Sequence, residues 1–334
     1  MRNESQSLVS VITPVYNGAK HLAECIDSVL AQTYQHWIYT IVNNCSTDET
    51  LEIAQAYATR DPRIRIHNNQ TFLPVIENHN HALRQVSSEG KYCKLLFADD
   101  WLFSECLQQM VQLAEAHPSV GLVSSYGLRD STVLWTGLQY PSTVISGRET
   151  CRQRLQDGPY VFGTGTSQMF RADLVRSRDP FYNDRNLHCD SEVCFQILQA
   201  SDFGFIHQIL HYTRAPGAES YTTFAFKRRS LEAMKLYEVL TYGQVFLTQQ
   251  EFDFYREKNL AEYYDFLAQC ILAGGESWKF HKSKLNEFGL SLDRTRLAAA
   301  VAKKGLRALF KHPKQTFVQL VHGTSILRNR LRSE

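Results

Sequence analysis

Leu95-Leu96-Phe97-Ala98-Asp99-Asp100 is the stretch on which the fold of this chain turns. An apolar run from Tyr92 to Ala98, broken only by Lys94, ends in two adjacent carboxylates. The run has the length and composition of a buried strand. Open α/β sheets bind ligands at the carboxyl ends of their strands. Two acids there are poor core residues, because an unpaired buried charge is expensive. A hard divalent cation and the phosphates it carries would resolve that cost. The alternative is a loop acid and an N-cap for a helix from Trp101 to His117.

Working outward, the flanking sequence repeats one pattern. Leu8 to Thr13 is β-rich and is broken by Pro14-Val15-Tyr16-Asn17-Gly18. Leu22, Cys25, Ile26, Val29 and Leu30 then fall on one helical face, with Asn17 a candidate cap or turn residue. Trp37 to Val42 reads as a second strand, ending in Asn43-Asn44-Cys45-Ser46-Thr47-Asp48-Glu49. Ser46 and Glu49 have capping-box spacing for the next helix. Ile64 to His67 is a third strand, Pro74 opens a helix, Tyr92 to Ala98 is the fourth strand, Gln108 to Ala116 is helical and Val120 to Ser125 is the fifth strand. This alternation predicts a parallel sheet with helices on both faces. In such a sheet Tyr16-Asn17, Asn43-Asn44 and Asp99-Asp100 share one edge and converge on one ligand.

Composition narrows the class. The 334 residues, 43% apolar and 21% charged, describe a globular protein with a proper core. A net charge of +2 argues against nucleic acid as a partner. From Arg294 to Glu334 there are ten Lys and Arg against one acid, so a basic tail follows a slightly acidic body. Met1 to Ser7 is polar and predicts no secretory leader, and no run reaches the ~18 apolar residues of a membrane span. Eight scattered cysteines without a CxxC pair predict reduced thiols and a cytoplasmic protein. His188, Cys189 and Cys194 fit no usual zinc spacing. No P-loop motif is present, and Gly163-Thr164-Gly165 is a lone GxG outside any βαβ context. A phosphate-bearing ligand would then be held through Mg2+ or Mn2+ at the acid pair.

Taken together, Ser10-Val11-Ile12-Thr13-Pro14-Val15-Tyr16-Asn17, Ile41-Val42-Asn43-Asn44-Cys45-Ser46-Thr47-Asp48 and Phe97-Ala98-Asp99-Asp100 resemble a family 2 glycosyltransferase over about residues 8 to 220. The resemblance implies the GT-A fold, a Rossmann-like, mostly parallel sheet flanked by helices. A glycosyltransferase domain would span 1–222 and a C-terminal helical region 223–334. It implies that Pro14, Tyr16, Asn17, Asn44 and Ser46 seat the nucleoside. Asp99 and Asp100, counterpart of a DxD motif, would hold the metal and the sugar-nucleotide diphosphate. His188-Cys189-Asp190-Ser191-Glu192 is similar to the family's ED-type motif, which makes Asp190 the catalytic base and Glu192 its neighbour in a one-step misalignment. The plain alternative for Asp190 is an N-cap. Tyr212-Thr213-Arg214, with Ser220 beyond, resembles the segment whose arginine approaches the diphosphate; the alternative is a surface arginine.

Two departures bear on the substrate. Many relatives carry Asp-Asp where Asn43-Asn44 stands, and an aspartate there accepts the uracil imide proton. Asparagine can still accept it, but a neutral bond is worth about 0.5–1.5 kcal/mol against about 1.5–3 for a charge-assisted one. UDP remains the default, with dTDP and GDP behind it. The Q-x-x-R-W motif and membrane spans of polymer-forming relatives are missing, which implies a non-processive transferase; that transfer inverts the anomeric carbon is what the family resemblance implies. The remaining readings are a nucleotidyltransferase, which would normally show a glycine-rich basic loop where Pro14-Val15-Tyr16-Asn17 stands, and an inactive sugar-nucleotide-binding protein.

The acceptor half is less legible. Ser146 with Glu149 has capping-box spacing for a helix through Leu155, and Pro159 to Gln168 is suited to a loop closing over a sugar. Aromatic and aliphatic stripes from Phe224 onward (Leu231, Met234, Tyr237, Leu240; then Phe252, Tyr255, Tyr263, Phe266, Leu267, Cys270) read as helical core packing. Lys303, Arg307 and Lys311 recur beside Leu306, Leu309 and Phe310, ahead of Phe317, Leu320, Val321, Arg328, Arg330 and Arg332. A basic amphipathic tail over 295–334 reads as a candidate binder of an anionic membrane surface, peripheral on the inner face of the membrane and suited to a glycan or lipid-linked acceptor. The alternative is a solvated face on an acidic body.

Overall fold

The structure is a computed structural model, and it describes residues 6–217, 221–273 and 276–311. The chain divides into two compact units, Met1–Pro216 and Gly217–Glu334.

The first unit is built on one sheet. Its strands are β1 (Val9–Val15), β2 (Trp37–Asn43), β3 (Ile64–Asn68), β4 (Tyr92–Leu95), β5 (Trp101–Leu102), β6 (Val120–Arg129), β7 (Thr132–Leu134), β8 (Val144–Ile145), β9 (Met169–Arg171) and β10 (Asp202–Tyr212). The order is β3-β2-β1-β4-β9-β6-β10-β5, with β7 on β6 and β8 on β10. Strands β1 to β4 pair in parallel, as do β6 and β10. The alternating pattern up to residue 125 is therefore present, but β4 and β6 are not neighbours. Strand β9 lies between them, antiparallel to both. Three residues ahead of a helix carry too little pattern to announce a strand.

Helices α1 (Ala19–Leu30), α2 (Thr50–Arg60), α3 (Val75–Leu83), α4 (Cys106–Ala116), α5 (Gly147–Leu155), α6 (Ala172–Arg176) and α7 (Cys189–Ile197) flank the sheet. The face read from sequence on α1 is the buried one: Leu22, Cys25, Ile26 and Val29 are fully enclosed. Each such aliphatic side chain contributes roughly 1.5–3 kcal/mol. Ser146 caps α5 by accepting the Glu149 amide at 3.2 Å. Other ends differ from the reading. Helix α2 starts at Thr50, after Glu49, and not at Ser46, because Asp48 takes the Thr50 amide at 3.1 Å while Ser46 is used elsewhere. Trp101-Leu102 pairs with Tyr212 and His211, so the helix after the acid pair begins only at Cys106.

Pro14 explains where the sheet opens. Even-numbered residues of β1 face β4: Leu96 donates its amide to the Ile12 carbonyl at 2.9 Å. The next bond of a parallel ladder would run from residue 14 to the Leu96 carbonyl, and proline has no N–H to give. The Thr13 hydroxyl takes that carbonyl instead, at 2.8 Å. Regular pairing stops at Leu95, Leu96 keeps two bonds to β1, and residues 97–100 leave the ladder as β1 and β4 part. Strand order reverses at this point, with β2 and β3 to one side of β1, so it is the switch point where α/β sheets bind ligands.

The second unit is helical: α8 (Tyr221–Arg228), α9 (Leu231–Phe246), α10 (Gln249–Ala273), α11 (Glu276–Glu287) and α12 (Arg294–Lys311). Its core gathers Leu236, Tyr263, Phe266, Leu267, Cys270, Leu285 and Leu297. Met234 is buried while Leu231, the first member of the predicted stripe, is exposed. Helix α12 lays Leu297 and Ala300 into this core, and Arg296 and Lys303 pair with Glu257 and Asp265 of α10. Part of the basic face is thus spent on acids of its own unit. Arg328, Arg330, Arg332 and the apolar residues from Phe317 lie outside the described residues, as does Ser220. No helix among the described residues is long and apolar enough to cross a membrane.

Candidate active site

Two loops at the carboxyl ends of β1 and β2 are laced together. Asn17 adopts a left-handed backbone (φ 49°), which asparagine tolerates better than most residues. Its amide donates to the Ser46 hydroxyl at 3.0 Å, and its side-chain oxygen accepts the Thr47 amide at 2.8 Å. The Ala19 amide donates to Asp48 and the Gly18 amide to the Thr50 hydroxyl, at 3.1 and 2.8 Å. Gly18 must be glycine: a Cβ there would stand 2.5 Å from a Val15 methyl and 3.6 Å from Ala98. That close approach brings the first loop against the segment leading into Asp99. Pro14 is buried in β1, and Tyr16 is exposed, its ring edge-on to Phe72 at 4.9 Å.

Asn44 is placed differently from the sequence reading. It is 2% exposed and its carboxamide is already engaged. Its oxygen accepts from Asn69 and from the Leu73 amide, both at 2.9 Å, and its nitrogen donates to the Leu73 carbonyl at 2.8 Å. Asn44 therefore braces the 69–73 loop, whose exposed Phe72 faces Tyr16. Nothing in the sequence around Phe72 signals this pairing, which Asn44 supports by bracing the loop.

The two acids have different environments. Asp99 is exposed and Asp100 is buried. Asp100 accepts from the Thr166 hydroxyl at 2.6 Å, the Arg214 amide at 3.1 Å and, weakly, the Thr213 hydroxyl at 3.5 Å. Burial, reinforced by the charge of Asp99, pushes its carboxyl up to about 7 despite these donors. Arg214 sits with its guanidinium paired to Glu24 of α1 and 4.9 Å over the Trp101 ring. Thr166 was not singled out from sequence. Its segment, 159–168, has the composition of a closing loop or of an ordinary turn; Thr166, Ser167 and Gln168 are fully buried, and Gly165–Ser167 forms one helical turn.

A pair of carboxylates, one exposed and one held by three donors, fits a hard cation that keeps waters and takes its remaining ligands from phosphate. Among the described residues no group of three His, Cys, Asp or Glu gathers, so the protein alone builds no closed zinc-type cage.

Asp190 and Glu192 lie in the first turn of α7. Glu192 is buried and its two oxygens accept from the side-chain amides of Asn183 (3.3 Å) and Asn186 (2.8 Å). Asp190 is partly exposed, with one oxygen accepting the Ser191 amide at 3.0 Å. Burial raises its carboxyl to about 6. Two chains of neighbours lead from it toward the acid pair. Its charge acts on the buried Tyr182, whose ring meets His79 at 6.4 Å, and His79 stacks on Phe97 at 5.3 Å. On the other side the Cys194 thiol donates to the Asp190 carbonyl at 3.0 Å and receives from Gln168, two residues beyond Thr166.

A sheet of this order, with an acid pair beside a switch point, has the architecture of the GT-A fold. The Glycosyl transferase family 2 model matches residues 10–178, half of the chain, and the chain belongs to that family. It is 26% identical over 226 residues to the glycosyltransferase GlyG of Streptococcus pneumoniae, covering 65% of this chain and 74% of GlyG. It is 31% identical over 139 residues to Bacillus subtilis TuaG, which is named for teichuronic acid biosynthesis, covering 41% of this chain and 54% of that protein. The match to TuaG thus spans about half the relative's length. Among solved structures, S. aureus TarS 1-349 in complex with UDP-GlcNAc superposes with a TM-score of 0.63 at 14% identity, over 98% of this chain and 92% of that one. The mannosyltransferase PcManGT of Pyrobaculum calidifontis, in complex with GDP-Man and Mn2+, gives 0.54 at 16% identity, over 96% and 86%. At these identities the structural likeness establishes the GT-A fold.

Proposed function

We propose that this family 2 glycosyltransferase moves one sugar from a nucleoside-diphosphate sugar, UDP-sugar by default, to an acceptor hydroxyl with inversion, using a divalent metal. The observation that carries this reading is the junction where β1 and β4 part: Gly18, in the loop that Asn17 laces to Ser46, lies beside Ala98, and Asp99 and Asp100 follow directly. Tyr16 and Phe72 would flank the base, with Asn17 and Ser46 shaping the loop beneath the ribose. Asp99 and Asp100 would hold Mg2+ or Mn2+, which when bound neutralises charge on the departing diphosphate. Arg214 exchanges Glu24 for the diphosphate as the donor enters. Asp190 takes the acceptor proton on Oδ2, since Oδ1 already accepts the Ser191 amide. The engagement of Glu192 by two asparagines supports Asp190 over Glu192 as the base.

TuaG, named for teichuronic acid biosynthesis, supports an acceptor in cell-surface polysaccharide or glycolipid synthesis; the UDP-GlcNAc complex of TarS supports a UDP-sugar donor, and PcManGT keeps GDP as the alternative nucleotide. The protein would act in the cytoplasm, with the tail from residue 295 resting on the inner face of the membrane. A thermal-shift screen of nucleotide-sugars with Mn2+ tests the donor, and nucleoside diphosphate release tests the chemistry. Release of pyrophosphate, or stabilisation by no nucleotide-sugar, would overturn the reading.

A further inference from the structure

Lys94 is wholly enclosed at 0% exposure, in a strand otherwise made of apolar residues. A lysine there is an expensive choice, since an ammonium loses its hydration and a leucine would not. Its partners explain it. The ammonium donates to the Thr166 carbonyl and, at 3.3 Å, to the Gln168 carbonyl, so it holds the middle and the C-cap of a single helical turn, Gly165–Ser167. The turn is pinned from the opposite strand as well: the Ser167 hydroxyl meets His211 Nε2 of β10 at 3.1 Å. Gly165 allows the close approach, since a Cβ there would lie 2.8 Å from both Leu95 and Phe97.

This turn has one polar product. The Thr166 hydroxyl accepts the Phe97 amide at 3.2 Å, so its own proton is committed to Asp100 Oδ2, at 2.6 Å. The same stretch of β4 therefore supplies the lysine that sets the turn, and its continuation supplies the amide that aims the hydroxyl and the carboxylate that receives it. Thr213 and Arg214, which complete the grip on Asp100, follow His211 after Tyr212.

We propose that Lys94 and Thr166 are positioning residues, which hold the Asp100 carboxylate in one rotamer so that it meets the metal-bound diphosphate without rearranging. This rests on the metal-dependent reading above. Such supporting hydrogen bonds to a ligating carboxylate are typically worth 10- to 100-fold in metal affinity.

The test uses the full chain with Mn2+ and UDP as probes, reading free Mn2+ by electron paramagnetic resonance. Thr166→Val keeps the shape and removes the hydroxyl. It is expected to weaken Mn2+ binding in the presence of UDP by about 10-fold or more, leave UDP binding in EDTA within about twofold, and be rescued by Thr166→Ser. A purely structural role would lower the melting temperature of Thr166→Val without separating these two affinities. If Thr166→Val does not fold, Thr166→Ala against Thr166→Ser is read in the same way. Folded Thr166→Val or Thr166→Ala with wild-type Mn2+ affinity, or Thr166→Ser as weak as either, overturns the inference and leaves the functional reading standing. Wild-type protein that leaves Mn2+ free in the presence of UDP overturns both.

Discussion

Asp190 offers the sharpest experiment, because its role in catalysis and its effect on stability have opposite signs. The carboxyl is raised from 3.8 to about 6 by burial. A base must be ionised, so transfer falls as pH drops through that value. Between pH 7 and pH 5 the ionised fraction goes from about nine-tenths to about one-tenth, a roughly tenfold loss of kcat. Stability runs the other way. A carboxyl whose pKa is higher folded than unfolded destabilises the native state once it must ionise, fully so above the folded pKa and not at all below the unfolded one. The shift corresponds to about 3 kcal/mol at pH 7, an upper figure for a partly exposed group. Asp190→Asn is therefore expected to lose about 10²- to 10⁴-fold in transfer, to flatten the acid limb of the pH profile, to bind UDP as the wild type does, and to melt at a higher temperature. The assay is acceptor-dependent nucleotide release at saturating donor and Mn2+, with calorimetry alongside. Wild-type turnover in Asp190→Asn, or an acid limb that survives the substitution, would refute the assignment.

Three further outcomes follow from the geometry. Gly18→Ala drives a Cβ into Val15, and should cost about 1–3 kcal/mol in a urea titration and weaken donor binding, whereas an unchanged midpoint would remove the close-approach argument. Glu192→Gln strips charge from a group held by Asn183 and Asn186; it should lower stability by about 1–3 kcal/mol while transfer stays within about tenfold, and loss of transfer with unchanged stability would make Glu192 the base instead. The full chain should co-sediment with anionic liposomes at low salt and lose this when residues 295–334 are deleted; absence of binding at low salt would confine the tail's charges to pairs such as Lys303 with Asp265.

Local pattern was enough to read much of this protein. The apolar face of α1 and the alternation of strands and helices to residue 125 follow from periodicity, and the GT-A class from the family resemblance carried by three short motifs. A strand of four residues or more and a helix of two turns carry their own signature, since the period at which apolar residues recur marks the buried face within the segment itself.

Contacts between distant positions decided the rest. Asn43-Asn44 looks like a pair of ligand-facing amides, but Asn44 turns inward because the Leu73 loop, 29 residues away, needs both ends of its carboxamide. Asp99 and Asp100 are equal in sequence and unequal in space, because Thr166 and Arg214, 66 and 114 residues further on, reach only the second. Strand β9 enters the sheet on three residues, and Lys94, which reads as a blemish in an apolar run, is satisfied by carbonyls more than 70 residues away. Backbone periodicity is a property of neighbours along the chain. The partner of a buried polar side chain is whichever donor or acceptor the finished packing brings within 3 Å, and no local pattern encodes that.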